Sequence, residues 1–203
     1  MEFNSNKSDK AKAILAGALE VFTKQGYAAA SMSKIASVAG VSKPTLYNYF
    51  QDKEGLFVAL IEQLTHNNRQ MVFSLLSNPD LQEPPEKVLH QIASSVLENF
   101  ARNRPLLTLM RLIIGESERF PELARTFVRE IQKPLLEQLS LYLASQPQLN
   151  LSQPMVTARI FTGTLVHYLI IQHIMYGSEI LPLEQEDLVN GLIESIAAVK
   201  KSQ

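Results

Sequence analysis

There is no cysteine in this 203-residue chain. That absence excludes disulfides, thiolate metal sites and a cysteine nucleophile, and it fits a reducing compartment. Glycine is sparse, at eight residues, and no G-x-G-x-x-G or Walker pattern occurs, so a phosphate-cradling loop of that kind is not expected. The four histidines, His66, His90, His167 and His173, lack metal-ligand spacing; the last two are six apart and do not stack on one helix face. No serine stands in a recognisable nucleophile elbow. No segment alternates convincingly with period two, so no sheet is expected. Nor is there an internal repeat or a low-complexity tract. These absences argue against an enzyme, and no cofactor or metal is expected. A signal peptide is not expected either, because residues 1–12 are polar and have no apolar h-region.

What is present is a chain with 46% hydrophobic and 19% charged residues, the balance of a soluble globular protein with a substantial core in one or two domains. The net charge of −1 hides an asymmetry. Residues 1–55 carry seven lysines, no arginine and five acids, while residues 56–203 carry twelve basic and fifteen acidic residues. The N-terminal excess favours nucleic acid only slightly. Ile160 to Ser178 is nineteen residues without a formal charge. Its Thr162, Thr164, His167, Gln172, His173 and Ser178 would be costly in lipid, so a helix buried on most sides by protein explains it better than a membrane span.

Helical signals follow one another along the chain. Ser8 is a good N-cap, and Ile14, Leu15, Ala18, Leu19 and Phe22 recur at helical spacing until Gly26 supplies a left-handed stop. A short helix is expected over 34–39, a turn at Gly40, and a second short helix capped by Ser42 with Pro44 in its first turn. Asp52 caps a fourth helix running to about Leu76. The stretch from Asn78 to Glu86, with Pro79, Pro84 and Pro85, reads as a loop. Further helices are expected at about 85–101, 105–116, 121–144 (kinked at Pro134), 155–176 and 184–200. The fold class is therefore all-α: an N-terminal three-helix helix-turn-helix domain followed by a helical body.

The densest information lies in Ser31 to Lys53, SMSKIASVAGVSKPTLYNYFQDK. Ile35, Val38, Val41 and Leu46 are apolar where two short helices must meet, and Ala36, Ala39 and Gly40 are small where they approach closely. The outward face offers Lys43, Pro44, Thr45, Tyr47, Asn48 and Tyr49. Lysine can donate to guanine, asparagine can pair with adenine and proline can touch a thymine methyl. Ser31, Thr45, Tyr47, Tyr49 and Lys53 are the donors suited to phosphate oxygens. Taken singly, the aromatics could equally be packing residues and the lysines solvated. Caps, turn glycine, small contact residues and donors in one register make the combination specific.

The stretch IASVAGVSKPTLYNYFQDKEGLF closely resembles the N-terminal domain of TetR/AcrR-type bacterial transcriptional regulators, over roughly residues 8–60. RLIIGESERFPELARTF (111–127) is similar to the regulatory domain of one subgroup of that family. The resemblance implies about nine helices, a cytoplasmic homodimer, a palindromic double-stranded operator and repression relieved by a small molecule. It divides the chain into a DNA-binding domain, 1–52, and a ligand-binding and dimerisation domain, 53–203. Carried over by position, it implies base contacts from Ser33, Lys43, Pro44 and Asn48. Ser31, Thr45, Tyr47, Tyr49 and Lys53 would contact phosphates. Position 49 is Tyr where His is also common, and the first 55 residues lack arginine.

An apolar helical body with scattered polar residues can hold a small molecule. Phe73, Phe100, Leu107, Met110, Arg111, Ile114, Phe127, Phe161, His167, Tyr168, Gln172, Met175 and Tyr176 are the candidate lining, with ordinary core packing as the competing role. Buried polar groups must be paired or wet, so Arg111, His167 and Gln172 are either structural or ligand contacts. For the dimer face the candidates are Thr162, Gly163, Val166 and Ile170 together with Leu192, Ile193, Ile196, Ala197 and Val199; packing within the chain is the alternative. Two further functions compete with a ligand-released repressor. One is a DNA-binding regulator whose body receives a protein partner or nothing. The other is an enzyme or carrier with a vestigial DNA-binding segment, which the intact donors and missing catalytic groups oppose.

Overall fold

A computed structural model describes residues 2–77 and 83–198. Those residues form ten α-helical segments and no strand. They are α1 (Glu2–Ala29), α2 (Met32–Val38), α3 (Lys43–Tyr49), α4 (Lys53–Ser77), α5 (Pro85–Arg102), α6 (Arg104–Glu116), α7 (Pro121–Phe127), α8 (Lys133–Ala144), α9 (Pro154–Leu169) and α10 (Gln185–Ala198). The expected loop at 78–82 and the helix end beyond 198, Val199 included, lie outside the described residues.

The chain divides into two compact units. One comprises Met1–Thr65 with Thr108–Glu130, the other His66–Leu107 with Ile131–Gln203. A three-helix piece of 52 residues has little core of its own, and residues 108–130 complete it. Helices α4 and α6 each have residues in both units.

In the first unit, α1 packs on α2 and α2 on α3. Its core contains Ile14, Leu15, Ala18, Phe22, Ile35, Ala36, Leu46, Phe57 and Ile61, all buried. Helix α1 starts before Ser8, because nothing in residues 2–7 interrupts helix propagation; no Gly or Pro occurs there. Gly26 has φ 75° and ψ 164°. Helical geometry breaks at this residue, where the sequence predicts a stop, and one further turn continues past the kink to Ala29. Gly17 is a close-approach position: an added Cβ would lie 3.1 Å from both the backbone nitrogen and the Cβ of Ala39.

In the second unit, α8 packs on α9, α5 on α10 and α9, and α10 on α9. Val88, Leu89, Ile92, Leu97, Leu139, Leu143, Phe161, Leu165, Tyr168, Val189, Leu192, Ile193 and Ile196 share one core. Two π-helical turns interrupt the longer helices, Val128–Gln132 and Ile170–Ile174. The first lies immediately before α8, whose first turn holds Pro134. Proline has no N–H for an i−4 carbonyl and its ring crowds that carbonyl. The irregularity therefore falls where the sequence predicts a kink. The second π turn has no such signal.

Pro154–Ile174 is long and apolar enough to cross a membrane by length and composition. Only 22% of its apolar window is buried within the chain. Contrary to the expectation of a helix buried on most sides, part of α9 is left for another surface to cover.

Candidate nucleic-acid interface

The reading motif is assembled by local hydrogen bonds. Ser31 caps α2, its Oγ accepting from the Lys34 N–H at 3.2 Å. Gly40, with φ 67°, makes the turn. Ser42 caps α3, its Oγ accepting from the Thr45 N–H at 3.2 Å, and Pro44 occupies the first turn. Asp52 caps α4, its Oδ1 accepting from the Gly55 N–H at 2.7 Å. Each cap satisfies a backbone donor that a helix start would leave unpaired.

Leu46 is fully buried and anchors α3. Lys43, Pro44, Tyr47 and Asn48 are exposed. They fall at i, i+1, i+4 and i+5, on one face of the helix. The Lys43 ammonium lies 6.0 Å from the Tyr47 ring centroid, close enough to bias where the lysine rests. Thr45 is half-buried and its hydroxyl meets the Ser42 hydroxyl at 2.7 Å. Tyr49 is half-buried beside Phe50, with centroids 6.3 Å apart. Ser31, the cap before α2, and Ser33 on it are exposed. The structure therefore brings the expected base-reading residues of α3 onto a single open face. Val38 departs from expectation, since it is 36% exposed rather than packed between the two short helices.

Lys53 also departs from expectation. Its Nζ donates to the carbonyls of Tyr27 at 2.8 Å, Ala30 at 3.1 Å and Ala28 at 3.4 Å, and lies 4.4 Å from the Tyr27 ring centroid. An ammonium has three donors, and all three are used at the end of α1. Lys53 acts here as an internal cap. Burial lowers its pKa, partly offset by the Glu116 carboxylate. Tyr27 is pushed up to about 12, by burial first and then by Glu54 and Asp52, so its phenol stays neutral.

The candidate ligand residues fall in both compact units. Met110, Arg111, Ile114 and Phe127 belong to the first, and the others to the second. Within the second unit, Phe161 and Tyr168 are buried in the common core and Phe100 packs against it. Leu107 is buried, and Phe73 is half-buried. Phe127 is buried, while Met110 and Arg111 are half-buried. Ile114, His167, Met175 and Tyr176 are exposed. The Gln172 Nε2 donates to the Leu181 carbonyl at 2.7 Å, which gives it a structural role. His173 lies with its ring 6.0 Å from that of Tyr168, and burial lowers its pKa.

The dimer candidates also divide. Leu192, Ile193 and Ile196 are buried in the core of their own unit, so these three do not form an open face. Thr162, Val166, Ile170 and Ala197 are half-buried. Exposed positions of α9 include Val156, Ile160, Gly163 and His167, at i, i+4, i+7 and i+11. Gly17, Tyr27 and Glu116 were not signalled as site residues. An isolated glycine inside a helical pattern was a signal for Gly17; nothing local marks the other two.

Comparison with known proteins agrees with this geometry. Residues 14–60 match the model of the bacterial regulatory proteins of the tetR family, and residues 87–199 that of the AefR-like transcriptional repressor, C-terminal domain. The HTH-type transcriptional regulator RutR of Escherichia coli is 31% identical over 124 residues, 61% of this chain and 49% of that protein. The chain thus spans about half the length of such curated relatives. Among solved structures, the flavonoid-responsive regulator FrrA is 28% identical with a TM-score of 0.75, covering 95% of this chain and 97% of that one. A TetR-family transcriptional regulator from Mesorhizobium loti is 25% identical with the same TM-score and coverage. These are regulators rather than enzymes. With a capped helix-turn-helix and a matching C-terminal helical domain, this chain belongs to the TetR family of bacterial DNA-binding transcriptional regulators.

Proposed function

We propose that this regulator works in the bacterial cytoplasm as a homodimer on a palindromic operator, and that a small, largely hydrophobic ligand releases it. Residues 1–52 act as the DNA-binding domain and residues 53–203 as the ligand-binding and dimerisation domain. The observation that carries the reading is the open α3 face, where Lys43, Pro44, Tyr47 and Asn48 are exposed around the buried anchor Leu46. A helix so mounted suits the major groove. Lys43, Pro44, Asn48 and Ser33 address base edges; Ser31, Thr45, Tyr47 and Tyr49 address phosphates.

The test is a binding series on a selected duplex and its single-base variants. Lys43→Ala and Asn48→Ala are expected to relax preference at particular base pairs by about 1–3 kcal/mol. Tyr47→Ala is expected to weaken binding to all duplexes alike. Parent-like binding by all three variants would remove the assignment.

Repression is supported by the AefR-like repressor match over the C-terminal domain. Ligand release is supported by the similarity to a flavonoid-responsive regulator along nearly the whole chain and by the apolar character of the body. A ligand releases DNA only if it binds two conformations with different affinity. A flavonoid panel is expected to contain a compound that raises the melting temperature and weakens operator binding. At a hundredfold excess over Kd the stabilisation is about 2.7 kcal/mol. No response to any compound of the panel would favour a protein partner, or no effector at all.

A further inference from the structure

Two charged side chains grip α1 at Tyr27, just past the Gly26 kink. Glu116, the last residue of α6, accepts the Tyr27 N–H on Oε1 at 3.0 Å. Lys53, the first residue of α4, donates to the Tyr27 carbonyl at 2.8 Å. The Tyr27 ring is held edge-on by Phe57 at 5.4 Å and Phe120 at 5.2 Å. A Cβ at position 26 would lie 2.7 Å from Glu116 Oε1, so glycine is what admits the carboxylate. The second oxygen of Glu116, Oε2, is buried and has no hydrogen-bond partner among the described residues. Glu116 as a whole is half-buried, and its carboxylate favours the charged form of Lys53. The position of α6 supplies the other half of the argument. Its residues 104–107 belong to the second compact unit and residues 108–116 to the first. It is one continuous helix that ends on the α1 kink.

We propose that Glu116 is a positioning residue. Its carboxylate ties the end of α6 to the Tyr27 N–H, so that displacement of α6 is passed through α1 to α2 and α3. Hydrogen bonds weaken steeply with distance and angle, and a small shift of α6 suffices to loosen the hold. Lys53 keeps its grip on the carbonyl side and makes the kink the pivot. This proposal rests on the reading of the chain as a dimer that reads two half-sites. Glu116 would then govern which half-site spacing the dimer accepts, without touching DNA.

The test uses the full chain and duplexes carrying a selected palindrome with the half-sites moved apart or together by one base pair. The parent is expected to prefer its own spacing by about tenfold, and Glu116→Leu to reduce that preference below about threefold, within the usual range of coupling between sites. Preference for the correct base within each half-site should be unchanged in Glu116→Leu. A merely structural residue would lower affinity for every spacing alike. Glu116→Gln retains an acceptor oxygen and is expected to keep the parent's preference. If Glu116→Leu fails to fold, Glu116→Asp withdraws the carboxylate by one methylene and should lose the preference instead. A folded Leu or Asp variant with the parent's spacing profile overturns the proposal alone, as does equal loss in Gln and Leu. A parent indifferent to spacing overturns the dimeric reading and this proposal with it.

Discussion

Phe22→Ala is expected to destabilise the N-terminal unit by about 3–5 kcal/mol, the usual cost of deleting a core aromatic ring. Phe22 is fully buried. Its ring lies 5.3 Å from that of Tyr27 and 5.8 Å, edge-on, from that of Phe57. Tyr27 in turn meets Phe57 and Phe120, so one ring sits within a cluster drawn from α1, α4 and the segment before α7. Removing it takes away apolar burial and leaves a cavity that a rigid cluster closes poorly. A domain's total stability is only about 5–15 kcal/mol, so the loss is a large share. Urea unfolding should show a lower midpoint for this unit, and operator binding should fail at a temperature the parent tolerates. Val38→Ala is the control. Val38 is 36% exposed, and substitution at such a surface position is expected to stay within about 0.5 kcal/mol. Equal midpoints for Phe22→Ala and the parent would contradict the placement of the aromatic cluster.

On the proposed dimeric reading, Ile160→Arg is expected to yield a monomer and to lower operator affinity about a thousandfold or more, toward the non-specific level. Within one chain Ile160 is 56% exposed and Val156 45%. With Gly163 and His167 they form a continuous exposed stripe on α9. Gly191, Ser195 and Ala198 are exposed on α10, small residues that let a partner helix come close. A second copy of the chain is the natural cover for such faces. Arginine in the centre of that stripe would place an unpaired charge between the copies. A monomer holds one recognition helix, whereas two half-sites about 34–36 Å apart need two. Because Ile160 touches little of its own chain, the variant should keep its helical content. Sedimentation velocity decides the matter: a variant that still sediments as a dimer and binds operator like the parent would remove this face from the interface.

The helix-turn-helix was legible because its signals are local. Ser31, Ser42 and Asp52 each cap a backbone N–H three residues ahead, and Gly40 adopts its positive φ within the turn. Caps, turns and the 3.6-residue period act over a few residues, so their residue types reveal them. The same holds for Pro85, Pro121 and Pro154, each in the first turn of a helix.

The outward face of α3 was legible too, but which way α10 and Lys53 face was not. Leu192, Ile193 and Ile196 are apolar at helical spacing, a pattern that a core and an interface share. Only the packing of α10 on α5 and α9 turns them inward. Lys53 has the composition of a phosphate donor, yet carbonyls 23 to 26 residues away claim its ammonium.

By itself, then, the sequence determined an all-helical chain with a DNA-reading motif near its N-terminus, because backbone capping and apolar periodicity are short-range chemistry. The tertiary structure alone decided that residues 108–130 complete the first unit, that α9 leaves Val156 and Ile160 uncovered, and that Glu116 meets Tyr27 across 89 positions of sequence. Such contacts depend on where whole helices come to rest. No local residue pattern encodes that, since the free energy that places them is spread over the entire core.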